Sequence, residues 1–259
     1  MGLMTTSTID RALSKVPEVT LGFWIIKIIA TTLGETGGDS LSMSLDLGYA
    51  LSSAIFIALF AALVSVQVRA KQFYPFLYWL VIVATTTAGT TMADFADRSL
   101  GIGYPGGAAI LFVLLMASLA LWYRVEGSVS VQTVNRPGVE CFYWATILFS
   151  QTLGTALGDW MADTNGLGYS RGALVFGAGL ALIAAAYFFT AISRTALFWA
   201  AFILTRPLGA TIGDLLDKPT ADGGLDISRF YASALLAIVI VICVLVLPQR
   251  AGRHPGTAD

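Results

Sequence analysis

KVPEVTLGFWIIKIIATTLGETGGD, residues 15–39, decides the fold. Its middle is an apolar run long enough to cross a bilayer as a helix, which takes about 20 residues for a core of about 30 Å. Its polar residues fall in a register. Trp24 precedes Asp39 by fifteen residues, and Gly34 stands five residues before that aspartate. Stepping back from Asp39 by four and eight gives Glu35 and Thr31, which share one helical face with it.

The same register returns three times. Trp79, Trp144 and Trp199 precede Asp94, Asp159 and Asp214 by fifteen residues, with Gly89, Gly154 and Gly209 five residues before each aspartate. The copies are offset by 55, 65 and 55 residues, so the two halves are related by 120. Recurrence at a fixed period marks a repeat architecture. Eight apolar stretches accommodate four copies of two helices each, near 17–40, 46–68, 74–96, 103–124, 139–161, 167–190, 194–216 and 226–247. The repeats then cover about 17–70, 71–125, 137–190 and 192–248, followed by a tail at 249–259, all within one membrane domain of 1–259. Two helices per copy give every copy the same orientation, a parallel repeat about an axis along the membrane normal. The expected fold class is an all-α integral membrane protein, eight transmembrane helices as four parallel two-helix repeats in a pseudo-symmetric bundle of hairpins.

Composition agrees. Of the 259 residues, 56% are hydrophobic and 12% charged, about half the charge of a soluble domain. Mean hydropathy is +0.77. With 15 basic and 16 acidic residues, the chain has no basic face for nucleic acid. The single histidine, His254, lies in the tail, and Cys141 and Cys243 form no metal-ligand spacing. No nucleophile–base pair is present, so an enzyme is not expected, and no cofactor is evident beyond a hard cation. Arg11, Lys15, Arg69, Lys71, Arg124, Arg136, Arg194, Arg250 and Arg253 gather on the linkers between repeats and at the termini. The positive-inside rule then places both termini in the cytoplasm. Lys27 and Glu35 interrupt the first apolar run, which reads as a retained helix rather than a signal peptide.

In register and sequence the stretch 15–39 and its three copies resemble the bacterial "membrane-anchored proteins" built from four tandem two-helix repeats (domain of unknown function 347). The resemblance covers nearly the whole chain. It implies eight helices and a bacterial inner membrane, and no activity.

The polar stripe supplies the functional candidates. It comprises Asp39, Glu35 and Thr31, then Asp94, Thr90 and Thr86, then Asp159, Thr155 and Gln151, then Asp214, Ala210 and Arg206. A stripe of this kind faces a bundle interior or a wet cavity, not lipid. Candidate ion-binding residues are Glu35, Asp39, Asp94, Asp159, Asp214, Thr31, Thr90 and Thr155, with the four aspartates as metal ligands. Their oxygens suit Mg²⁺, Mn²⁺, Ca²⁺, Na⁺ or H⁺. Lys27 and Arg206 are the counter-charge candidates. Lys27 stands roughly 12 Å from Glu35 along the axis, too far for a direct pair, so Arg206 is the preferred partner. Trp24, Trp79, Trp144 and Trp199 are expected at the membrane interface as anchors. Asp97, Asp163 and Asp217 read as solvated loop acids. The leading functional expectation is a carrier of a small hard cation. The alternative is a non-transporting membrane protein that binds a lipid, an organic ligand or a partner protein, its acids serving as turn caps.

Overall fold

The computed structural model describes residues 13–164 and 166–253; Arg11 and His254 lie outside the described residues. Eight α-helices account for nearly all of it: α1 (Leu21–Asp39), α2 (Gly48–Arg69), α3 (Pro75–Asp94), α4 (Tyr104–Glu126), α5 (Pro137–Asp159), α6 (Gly168–Phe189), α7 (Arg194–Asp217) and α8 (Arg229–Val246). Their starts follow local chemistry. The Thr20 hydroxyl accepts from the Phe23 N–H at the head of α1, Ser193 does the same for Ala196 in α7, and Pro75 and Pro137 open α3 and α5. Gly127, at φ 72°, ends α4 in the left-handed conformation that glycine adopts without strain.

Six helices are long and apolar enough to cross a membrane: α2, α3, α4, α6, α7 and α8. The other two, α1 and α5, are equally central but more polar, because they carry Lys27, Glu35 and Asp39 or Glu140, Gln151 and Asp159. The odd-numbered helices are buried. The even-numbered helices leave large apolar side chains such as Leu174, Leu182 and Phe189 exposed, as a lipid-facing layer requires.

Helix pairing differs from the expected bundle of hairpins. The inner helices form a closed square: α1 packs on α3, α3 on α5, α5 on α7, and α7 on α1. Each outer helix packs on the inner helix of the following repeat, α2 on α3, α4 on α5, α6 on α7, and α8 on α1. The short linkers between repeats, such as 70–74 and 190–193, enforce this pairing, whereas the connection inside a repeat is a wider crossing through a π-helical turn. Three such turns follow α1, α3 and α5: Ser40–Ser44, Phe95–Ser99 and Trp160–Thr164.

The α8–α1 pair has no linker, and a small ribbon takes its place. Strand β1 (Leu13–Pro17) pairs antiparallel with β2 (Ala251–Arg253). The ribbon corrects two expectations: the first helix begins at Leu21 rather than near 17, and the first residues of the tail are part of the fold. β1 also ties the end of the bundle together. The Lys15 N–H donates to Val134 O at 2.7 Å, its ammonium meets Glu140 at 2.6 Å, and Ser14 Oγ donates to Val131 O at 2.7 Å.

All four inner interfaces use the same positions. The helix that carries Gly34, Gly89, Gly154 or Gly209 receives there the side chain of Thr86, Gln151, Arg206 or Thr31 from its neighbour. Each accepted residue stands eight before the aspartate of its own repeat. Lower down, Phe23 meets Trp79, Tyr78 meets Trp144, Tyr143 meets Trp199, and Phe198 meets Trp24, with ring centroids 5.5, 5.7, 6.4 and 5.7 Å apart. An aromatic residue directly before each tryptophan is thus part of the repeat.

The tryptophans are consequently not lipid-facing anchors. Trp79, Trp144 and Trp199 are buried and Trp24 is half-buried. Fifteen residues are four turns plus about 60° at 3.6 residues per turn, so a tryptophan in register with an inward aspartate also points inward. Together the rings form a layer closing the end of the bundle that holds the termini.

Candidate functional site

Above the aromatic layer, the polar stripe stacks into levels along the axis. The middle level is organised by Arg206, which is fully buried. Its Nη2 lies 2.8 Å from Glu35 Oε2, 2.6 Å from Thr90 Oγ1 and 2.5 Å from Thr155 Oγ1, and Nη1 donates to Thr31 O at 3.4 Å. Glu35, Thr90 and Thr155 are equivalent positions of the first three repeats. The fourth has Ala210, which leaves room for the guanidinium from one turn below. The Thr90 hydroxyl lies 3.1 Å from Gly34 O and 3.3 Å from Glu35 Oε2.

The next level holds the four aspartates, bridged in two pairs by bases that loop back onto them. Lys218 lies 2.6 Å from Asp39 and 3.1 Å from Asp214. Arg98 lies 2.9 Å from Asp94 and 3.5 Å from Asp159. Each base stands four residues after the aspartate of its own repeat and reaches that of the next, so the bridges cross between the chain's two halves. Arg229 adds contacts of 3.8 Å to Asp39 and 3.4 Å to Asp217. Burial alone would lower the Lys218 pKa, but the Asp214, Asp39 and Asp217 carboxylates outweigh it and hold the pKa well above the ordinary lysine value. Neither Asp39 nor Asp94 caps the π-helical turn that follows it with its side chain.

Carboxylate oxygens of Glu35, Asp39 and Asp214 all lie within 4.8 Å of one another, and all three residues are buried. This trio differs from the expected four-aspartate metal set. Asp94 and Asp159 share Arg98 instead, while the depth of Glu35 brings it under Asp39 and Asp214. Thr90 and Thr155 belong to the level of Glu35, but Thr31 does not serve the acids. Its hydroxyl donates to Ile28 O at 2.8 Å and Thr205 O at 3.2 Å, tying α1 to α7.

Lys27 does not act as a counter-charge. Among the described residues no carboxylate lies within ion-pair distance of it. Its ammonium stands 4.1 Å from the Phe202 ring centroid and 3.5 Å from both Gln151 Oε1 and Thr205 Oγ1. Asp97 and Asp217 are also corrected: both are buried, because the turns fold back over the acidic end. The sequence reading missed Arg98, Lys218 and Arg229. For the first two a signal existed, since a base four residues after an acid is a helical ion-pair spacing.

Two surface pockets lie at the termini end, one lined by Tyr123, Ser128 and Trp199, the other by Glu18, Leu21 and Arg250; neither touches the acidic levels.

These features define a helical membrane protein built from an internal repeat, with a charged network enclosed by its inner helices. The profile of the family described as Repeat of Unknown Function (DUF347) matches four times, at residues 22–73, 77–128, 142–193 and 197–249. The chain belongs to that family. No curated protein and no solved structure matches it.

Proposed function

We propose that the chain is an eight-span protein of a bacterial inner membrane, with both termini cytoplasmic, that carries a small hard cation and performs no chemical conversion. The repeated inner contacts support a pseudo-symmetric ring in which α1 and α5, shielded by outer helices, also cross the bilayer. The observation that carries the functional reading is the convergence of Glu35, Asp39 and Asp214 oxygens inside the bundle. Three buried carboxylates form a hard-oxygen site for Mn²⁺, Mg²⁺, Ca²⁺ or Na⁺.

In the arrangement described, protein cations neutralise those acids: Lys218 on Asp39 and Asp214, Arg206 on Glu35. An arriving cation takes the place of the Lys218 ammonium, which swings out with the 218–228 connection. The ammonium returns when the cation leaves, so the acids are never left uncompensated, a state that costs several kcal/mol per buried ion.

Purified protein reconstituted into liposomes tests the reading. Asp39→Asn and Glu35→Gln are expected to lower cation flux by about tenfold or more, the scale on which even supporting groups alter metal affinity. Asp94→Asn, outside the trio and paired with Arg98 instead, is expected to do less. Variants that match wild type overturn the proposal. The second reading, a non-transporting membrane protein that binds a lipid, an organic ligand or a partner protein, is favoured by the filling of the axis by Arg206 and the aromatic layer. It predicts no flux of any cation and an Asp39→Asn change that lowers stability alone.

A further inference from the structure

Between the aromatic layer and the level of Glu35 lies a polar level that the proposed cation site does not use. Lys27 from α1, Gln151 from α5, and Thr205 and Arg206 from α7 meet there, all buried. Thr86 from α3 belongs to the same register position as Gln151 and Arg206. Its hydroxyl lies against Gly34, between α1 and α3.

This level has too many donors. Among the described residues the Arg206 Nε–H, the Gln151 Nε2 amide and the Thr86 hydroxyl have no hydrogen-bond partner, although buried polar groups are almost always satisfied. Among the described residues the Lys27 amino group has two oxygen contacts, both at 3.5 Å, whereas a charged donor ordinarily sits about 2.7–2.9 Å from its acceptor. The face of Phe202, 4.1 Å away, offers a weaker attraction than a counter-ion. Basic groups also outnumber acids there: Lys27 and Arg206 share the level, and the nearest acid, Glu35, is already engaged by Arg206 Nη2. A buried charge is tolerated when paired and hydrogen-bonded, so this level lacks an acceptor that carries negative charge.

The geometry points to a binding site for a small, spherical inorganic anion, a halide of chloride size, held by Lys27 Nζ, Gln151 Nε2 and Arg206 Nε with the Thr86 hydroxyl at its margin. Single donors on four different helices suit a spherical ion, whereas a carboxylate or phosphate is recognised by paired donors on one side. The site is separate from the Glu35–Asp39–Asp214 trio and does not depend on its role. It places an anion below the guanidinium and a carboxylate above it, so that Arg206 is balanced from both sides.

Protein purified in chloride and desalted into gluconate is the starting point. After denaturation, ion chromatography is expected to recover a chloride equivalent per chain from wild type and none from Lys27→Met. In parallel, chloride added back to the gluconate sample is expected to raise the melting temperature of wild type and not that of Lys27→Met, since a ligand of the folded state stabilises it. Gln151→Leu, which keeps the side-chain bulk and removes the amide donor, serves as a second variant if Lys27→Met fails to fold, with the same expected losses. Either retained chloride or a chloride-specific stabilisation, lost in the variant, supports the site. Wild type showing neither, or either persisting in the variant, overturns it.

Discussion

Arg206→Met is expected to destabilise the folded protein by about 3–5 kcal/mol, the cost of leaving one member of a buried ion pair alone. The guanidinium is fully buried and meets Glu35 at 2.8 Å, Thr90 at 2.6 Å and Thr155 at 2.5 Å. Its removal strands the Glu35 carboxylate and takes the Thr155 hydroxyl's guanidinium partner in the same step. Glu35→Gln is expected to fall in the same range, because it strands the guanidinium instead. The double variant Glu35→Gln/Arg206→Met is expected to recover much of the loss, since replacing a buried pair by neutral groups of similar volume is often neutral or stabilising. Denaturant unfolding in detergent micelles, followed by the fluorescence of the aromatic layer, measures all four corners of the cycle. Additive losses would show that the two side chains do not interact, and the organisation of the middle level around Arg206 would then be wrong.

The result also bears on function. If the double variant is stable yet loses cation flux, the pair exists for the site rather than for the fold. If it is stable and flux is intact, Glu35 is not a ligand and the convergence with Asp39 and Asp214 is structural.

Positions along each helix were legible in the sequence, and lateral relations between helices were less so. Eight apolar stretches and a shared Trp–Gly–Asp register marked the helices and their inward faces, because burial imposes a period that survives in a single chain. The Glu35–Arg206 meeting was foreseeable from depth: 1.5 Å per residue excluded Lys27 on the same helix. Which helix packs on which was not legible. Sequence neighbours suggest hairpins within a repeat, but α2 sits on α3 and α8 on α1 because short linkers and the β1–β2 ribbon hold those pairs. The tryptophans face inward because fifteen residues of helix keep them near the angular register of the aspartates, and an abundance at membrane interfaces does not decide which way a ring points. Arg98 and Lys218 stand past the apolar runs, yet their (i, i+4) spacing to Asp94 and Asp214 is readable in the sequence.

The glycines provide the sharpest test of the lateral packing, since their contribution is distance rather than chemistry. A Cβ added at Gly89 would stand 2.9 Å from the backbone C of Gln151 and N of Thr152, and one at Gly209 would stand 2.8 Å from the backbone C of Thr31. The opposing atoms are main chain in helices held on both sides, so no rotamer change relieves the overlap. Gly89→Ala and Gly209→Ala are each expected to cost about 1–3 kcal/mol or more, the range for overpacking a close-packed interior. At Gly37, in α1, an added Cβ would meet nothing within 4 Å. There the change to alanine removes only backbone freedom, so Gly37→Ala is expected to be stabilising by up to about 1 kcal/mol from helix propensity. Thermal unfolding in one detergent ranks the three. Opposite signs for Gly89→Ala and Gly37→Ala would place the effect at the α3–α5 contact rather than in glycine chemistry at large. Equal signs would mean that the inner helices stand farther apart than described. The polar levels would then lose their enclosure, because the same close approach that excludes a methyl group at Gly154 and Gly209 brings Arg206 and Thr31 to the axis.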